Sequence, residues 1–436
     1  MAQIHIPKEI PVRFLPRSRV ANATFGILVA VGLISFVATL LRDPDQAWRA
    51  YVVNWLFFTS VASGAMVLVA ATIITKARWN WSVRRMGLAF SAFLPISFLL
   101  LLPMLRLGGD YFPWIEAMAS DPIVQRKAAY LNLPFLITRN LVGLALLFGA
   151  FLYMAYLAIR PDLGLVKGGE GVASDPGRKR WADRLTGGWQ GQEKEEVRSH
   201  RALKRLAPAA VLLYAVVLSI VSFDWVMSLE PHWFSTIFGA WFFMGALWGG
   251  VAATAVAAVY AKGQDPDLNK LVGLQQLHDL GKLAFAFTVF WAYLFFSQYL
   301  VIWYGKLPWE QAWIIHRAEA PWGGLTVLAL ILCFVVPFAG LIGRKAKMTP
   351  WILRFFCLVI LAGLWLERYL MVVPSIHDGD PAISFWEPGT GLLFLGLFLF
   401  STRWFLTTFP AVQLWQPMVE PESLEVEVRE AEKASA

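Results

Sequence analysis

Two adjacent residues of opposite charge, Glu367 and Arg368, stand inside the apolar run "LVILAGLWLERYLMVVPS". Asp224 stands near the end of another run, in "SFDWVMSLEPHW" (Ser222–Trp233), and Arg139 lies about two turns into a third. An ionisable group inside a membrane-crossing helix is costly, and it normally faces a partner or a wet cavity. Counting about 1.5 Å of rise per residue, all four lie at a similar depth, roughly 8–10 Å below one membrane boundary. The expectation is a single ion cluster joining helices 4, 5 and 9. Such a cluster is either structural or a pocket that passes protons. A carboxylate held between burial and an arginine can change protonation with modest rearrangement.

A second group opens helix 7 in "LHDLGKLAFAF". His278 and Lys282 are spaced i, i+4, and Asp279 and Lys282 i, i+3, so the three share adjacent faces. Asp279 suits a helix N-terminus, whereas Lys282 is disfavoured there and marks an aqueous mouth. Gln298 and Tyr299, farther along the same helix, could continue a hydrogen-bonded path. Glu230 and His232 flank Pro231 in a tight turn, as solvated turn residues or as an exit for protons from Asp224.

The six histidines are His5, His200, His232, His278, His316 and His377. None falls at mid-membrane, so no facing pair is expected to ligate a b-type haem. "IHDGDP", from His377 to Pro381, reads as a solvated turn. Cys333 and Cys357 lie in apolar stretches with no metal or disulfide spacing. No catalytic triad, zinc motif or phosphate-binding loop is present; "GGEGVASDPGRKR" follows no strand. The chain is therefore expected to carry no metal and no redox centre of its own. Trp225, Trp233, Trp241, Trp303, Trp309, Trp313 and Trp322 fall near helix ends on one side and read mostly as interface anchors.

The elements that must position these groups follow from composition. Of the 436 residues 58% are hydrophobic and only 16% are charged, and apolar stretches of about 20 residues, long enough to cross the hydrocarbon, recur throughout. The fold class is an all-α polytopic membrane protein. Ten helices are expected near 21–41, 51–75, 86–105, 133–158, 205–229, 233–261, 280–305, 322–343, 350–373 and 386–407. Helices 2–5 and 6–9 form two four-helix bundles, flanked by helices 1 and 10. The net charge of +8 sits in short loops beside the spans, where it sets topology and does not indicate nucleic acid. The basic loops precede helix 1 and follow helices 2, 4 and 8, so both termini are expected in the cytoplasm. Residues 1–20 show no cleavable signal and make a cytoplasmic N-terminal segment before the 21–410 membrane domain. Residues 163–200 form a basic cytoplasmic loop too poor in apolar residues to order by itself. Residues 411–436 are a polar tail suited to docking on a partner.

Several stretches together resemble the integral membrane subunits of bacterial alternative complex III, within the NrfD/PsrC-like family. They are "AWRAYVVNWLFFTSVASGAMVLVAATIITKARW", "FDWVMSLEPHWFSTIFGAW", "HDLGKLAFAFTVFWAYLFFSQYLVIWYG" and "ERYLMVVPS", and the resemblance covers most of residues 45–410. It implies a subunit of a quinol:electron-acceptor oxidoreductase, with quinol or menaquinol as the lipophilic substrate of the complex. It implies a paralogous, ActC-like membrane subunit, an ActB-like iron–sulfur subunit, c-type cytochrome subunits and other small membrane subunits as partners. Haem c and the iron–sulfur clusters would sit in those partners, in a bacterial inner membrane with its lipids. Three functions follow as alternatives: a subunit contributing to a quinol-side pocket or proton path, a scaffold of the same complex, or a stand-alone secondary transporter. On the first, the path residues are Arg139, Asp224, Glu230, His278, Asp279, Lys282, Gln298, Tyr299, Glu367 and Arg368.

Overall fold

The computed structural model describes residues 6–7, 10–109, 111–377, 379–381 and 386–415. Among them no strand occurs, and ten helices are long and apolar enough to cross a membrane. They are span 1 (Arg19–Arg42), span 2 (Pro44–Ile74), span 3 (Arg84–Met104), span 4 (Leu133–Val166), span 5 (Gln192–Leu229), span 6 (Ile237–Lys262), span 7 (Leu274–Gly305), span 8 (Gly323–Leu341), span 9 (Pro350–Ser375) and span 10 (Pro388–Thr408). The protein is an all-α, multi-pass membrane protein.

Helix starts follow local chemistry. Ser18, Asp43 and Asn132 take extended backbone and accept the amides of Ala21, Gln46 and Phe135, which satisfies otherwise orphan donors of the first turn. Pro44 and Pro134 then occupy first-turn positions where the missing N–H costs nothing. Span 7 ends on Lys306, whose left-handed backbone at φ 50° closes the last turn.

Spans 2, 3, 4 and 5 pack in a closed ring, and spans 6, 7, 8 and 9 close a second. The two expected four-helix bundles are therefore present. Spans 1 and 10 pair with each other and lie on the span 2–span 3 side of the first bundle. Chain on either side of this pair meets at one face, where Leu15 N donates to Leu406 O at 2.9 Å and Ala411 N to Arg13 O at 2.7 Å.

The bundles join chiefly where span 2 crosses span 6. A Cβ on Gly64 would stand 1.9 Å from Ala246 O, and one on Gly250 would stand 2.1 Å from Ala65 N. Only glycine permits this backbone-to-backbone approach, the small-residue packing that membrane helices use where lipid supplies no hydrophobic drive. On span 8 a π-helical stretch, Ile331–Val335, presents Cys333 to span 9, where a Cβ on Gly363 would meet Cys333 Sγ at 2.8 Å.

Residues 163–200 correct the expectation of a loop that cannot order itself. They form helices at Glu170–Ala173 and Pro176–Leu185, and span 5's helix already begins at Gln192. Long-range polar contacts supply the order that composition lacks. Arg160 grips Glu195 through two bonds of 2.7 Å and donates to the carbonyl of Leu185 at 2.8 Å. Asp175 caps the Pro176–Leu185 helix and pairs with Arg17 at 2.7 Å, while Arg178 donates to Thr407 O at 2.9 Å. Arg85 pairs with the wholly buried Asp162, whose carboxylate also accepts the amides of Leu414 and Trp415. The proposed docking tail lies almost wholly beyond residue 415, outside the described residues.

Replacing Gly250 by Val forces the span 2–span 6 crossing apart. The expected loss exceeds ~3 kcal/mol, above the usual range for overpacking because the clash is with backbone. It should appear as aggregation, or a much lower melting temperature, on detergent extraction. Gly149→Ala, where a Cβ meets nothing within 4 Å, should leave melting unchanged.

Candidate functional site

The four charges expected in one cluster form two. Arg139 on span 4 and Asp224 on span 5 make the first, with contacts of 2.5 and 2.7 Å between both guanidinium arms and both carboxylate oxygens. Tyr130 OH donates to Asp224 Oδ1 at 2.9 Å and Asn140 Nδ2 to Oδ2 at 2.6 Å. Asn140 in turn accepts from Trp225 Nε1 at 3.0 Å, and the Arg139 guanidinium stands 3.8 Å over the centre of the Tyr130 ring. Asp224 is wholly buried, and its carboxylate receives four donors, which is close to its full acceptor capacity.

Glu367 and Arg368 on span 9 make the second cluster, directed at spans 6 and 7. Trp291 Nε1 donates to Glu367 Oε1 at 2.6 Å, and Arg368 Nη1 to Oε2 at 2.9 Å. Arg368 also donates to the carbonyl of Phe242 at 3.0 Å, with its guanidinium 3.9 Å above that residue's ring. Room for this side chain comes from Gly245, where a Cβ would crowd Arg368 Nη2 at 3.3 Å. Each oxygen of Glu367 thus holds one donor, and acceptor capacity remains.

That capacity faces a cavity of about 370 Å³ between spans 6 to 9 and the helix Pro308–Ala318. Trp241, Trp291, Trp313, Gln298, Arg317 and Glu367 form its inner wall. The buried indole N–H of Trp241 is also directed toward Glu367, as a third donor held less closely than the other two. Phe296 and Val327 stand at the rim and are more than half exposed, so the cavity opens sideways from the bundle. Gln298 accepts from Ser235 Oγ at 2.7 Å, which fixes its amide on the wall, and Tyr299 also lines the cavity.

Glu230 is more than a solvated turn residue. It accepts from Arg317 at 3.1 Å and from Ser375 Oγ at 2.7 Å. Arg317 lies over the Trp313 ring at 3.9 Å and donates to Leu370 O at 2.9 Å. Burial lowers its pKa to about 10, opposed by Glu230. It is still protonated at neutral pH, so the contact is an ion pair. A polar chain thus runs from the cavity wall through Arg317 to Glu230, whose side chain is 24% exposed. His232 instead pairs with Asp121. Backbone amides of Ile123 and Val124, together with His232, hold that carboxyl below its usual range.

Asp279 and Lys282 pair at 2.6 Å, and Gln275 Nε2 brackets the same carboxylate at 3.1 Å to each oxygen. His278 is half-buried one residue away. This group opens span 7, whereas Gln298 and Tyr299 stand five to six turns farther along the same helix. The tryptophans also depart from expectation. Trp225, Trp233, Trp241, Trp313 and Trp322 are buried, and only Trp303 and Trp309 are exposed as interface anchors would be. The stacked pair Trp233–Trp313, 4.4 Å between centroids, builds an internal wall between the turn after span 5 and the helix before span 8.

Sequence reasoning missed Arg317, Trp291, Tyr130 and Asn140. Arg317 carried a usable signal, a lone cation in the aromatic "WEQAWIIHRAEAPW"; Trp291 and Asn140 carried none that separates them from packing residues. Cys333 and Cys357 are both buried and unlinked, as packing residues are.

The fold and these clusters define a class: an all-α multi-pass membrane protein with arginine–carboxylate pairs buried inside two helix bundles. Comparison of the chain with protein-family models and with curated proteins gives no match to either.

Removing one member of the first pair separates its cost from its net worth. Arg139→Gln leaves Asp224 buried without its cation and should destabilise by about 3–5 kcal/mol. The double variant Arg139→Gln/Asp224→Asn should recover at least half of that. Unfolding in detergent, run as a double-mutant cycle, measures both.

Proposed function

We propose that this chain is a cofactor-free, ActF-type membrane subunit of a quinol:electron-acceptor oxidoreductase of the alternative complex III kind. The observation that carries the reading is the cavity with Glu367 in its wall. It is lined by indoles, opens sideways toward lipid, and ends on a buried carboxylate with unused acceptor capacity. A flat lipophilic head group fits those walls. Its hydroxyl would donate to Glu367. Small-molecule sites of this kind are mostly apolar with a few convergent polar groups.

Quinol oxidation yields two electrons and two protons. In this proposal the electrons pass to iron–sulfur and c-type haem centres in partner subunits, beside an ActC-like membrane paralogue. Glu367 takes up one proton and water at the cavity mouth the other; water in the cavity would carry the proton of Glu367 on to Glu230, the carboxylate that Arg317 and Ser375 hold toward the face opposite the basic loops. Asp224 is assigned differently. With its acceptor sites filled, it ties span 4 to span 5 as a structural pair and no longer heads a proton exit. Asp279 and Lys282 mark a polar mouth on the basic face, which the distribution of lysine and arginine assigns to the bacterial cytoplasm.

The test uses the assembly purified through this chain. Haem- and iron–sulfur-containing subunits should co-purify, with quinol-dependent acceptor reduction. Glu367→Gln should lower turnover about 10²-fold or more with the assembly intact, in the range of a lost acid–base group. Val327→Trp, which narrows the cavity mouth without touching Glu367, should raise KM with little change in kcat. Full activity in both variants, or absence of redox partners, would sink the proposal.

A further inference from the structure

Span 5 begins well before its apolar part. Lys194, Arg198, Arg201 and Arg205 follow one another at i, i+4, i+7 and i+11, which at 100° per residue places them on one face of the helix. They line a groove of about 600 Å³ with Gln190, Val197 and Ala202, and Glu193 is its one acid. All four cations are exposed, and none makes a hydrogen bond or ion pair among the described residues; Arg198 stands near Glu195, whose oxygens Arg160 already holds. This sets them apart from Arg160, Arg178 and Arg85, each of which has a carboxylate partner.

The same face continues into the apolar part of the helix. Leu212 and Val216 fall at i+18 and i+22 from Lys194, in line with the basic stripe, and they are 69% and 50% exposed. A hydrocarbon layer of about 30 Å takes about 20 residues, so counting back from Leu229, where span 5 ends, puts its edge near Ala210. Arg205 then lies about 7 Å beyond that edge, among the lipid headgroups, with Arg201 and Arg198 one and two turns farther out on the same face. One helix face thus offers apolar side chains to acyl chains and, immediately above them, unpaired guanidinium groups to whatever the acyl chains carry.

We infer that this face of span 5 is a binding site for anionic phospholipid headgroups in the leaflet on the protein's basic face. Arginine suits the ligand, because its planar fork pairs with phosphate through two parallel bonds. The spacing of Arg198, Arg201 and Arg205 over about 10 Å fits a lipid with two phosphates, such as cardiolipin, or two adjacent single-phosphate lipids. The inference depends only on the membrane-spanning fold and not on the redox reading.

The test takes the full chain, purified in detergent, and measures retained lipid by native mass spectrometry against added cardiolipin, phosphatidylglycerol and phosphatidylcholine. Cardiolipin and phosphatidylglycerol should bind and phosphatidylcholine should not. Arg198→Gln/Arg201→Gln should weaken cardiolipin binding roughly 30-fold, as expected for two juxtamembrane cations. Lys179→Gln/Arg180→Gln removes the same charge from the exposed Pro176–Leu185 helix and should change binding less than threefold. Melting in phosphatidylcholine nanodiscs, unchanged in both double variants, shows that folding is intact. Equal losses in the two pairs would reduce the effect to diffuse charge and overturn the site. So would inorganic pyrophosphate competing as well as cardiolipin, or a polyglutamate peptide binding more tightly than the lipid.

Discussion

Spans 2 and 6 touch backbone to backbone, and the placement of both bundles follows from that contact. Water drives apolar helices together in a soluble protein; in lipid the drive is lost, and close packing of small residues takes its place. Span 6 uses two glycine faces at once. Gly250 and Ala246 receive Ala65 and Gly64 of span 2, while Gly245 and Gly249 leave space for Arg368 and Leu364 of span 9. The crossing that joins the bundles therefore also sets how near span 9 comes to span 6, and so where Glu367 and Arg368 sit.

The buried charges share one construction. Arg139, Arg317 and Arg368 each stand over an aromatic ring, that of Tyr130, Trp313 and Phe242, and each holds a carboxylate. The ring attracts the cation's face while its N–H edge is spent on hydrogen bonds, which reduces the desolvation cost of a charge away from water. What separates the pairs is saturation. Asp224 receives four close donors and has no capacity left, whereas Glu367 receives two close ones, with the Trp241 indole N–H turned toward it, and borders open space. Both are buried carboxylates beside an arginine; the number of close donors around each distinguishes a brace from a candidate site.

Much of this was legible in the chain. An uninterrupted apolar run has to become a helix in lipid, because no other conformation of a single segment satisfies its backbone. The pairing of Arg139 with Asp224 was legible too, since a charge in hydrocarbon needs an opposite charge nearby. The grouping of both pairs into one cluster was not. Similar depth along separate helices says nothing about which faces meet, and Glu367 turned out to face Trp291 rather than Arg139. The tryptophans misled for a related reason. Amphipathic rings collect at membrane interfaces, but the same residues near helix ends can turn inward, as Trp233 does against Trp313.

By itself, the sequence determined the all-helical class, the number and approximate place of the spans, the loops in which basic residues gather, and the short set of side chains able to carry charge in lipid. These are local properties, settled by hydropathy, charge and chain length within about 20 residues. Only the tertiary structure decided that residues 163–200 are ordered, through the bonds of Arg160, Asp175 and Arg178 to distant segments. It alone showed that Glu230 belongs with Arg317, 87 residues away, and that one carboxylate is saturated while another faces a cavity. Each of these depends on contacts between helices, whose rotation and approach are set by side-chain volume and by glycines at the crossing points, quantities that no single stretch of sequence contains.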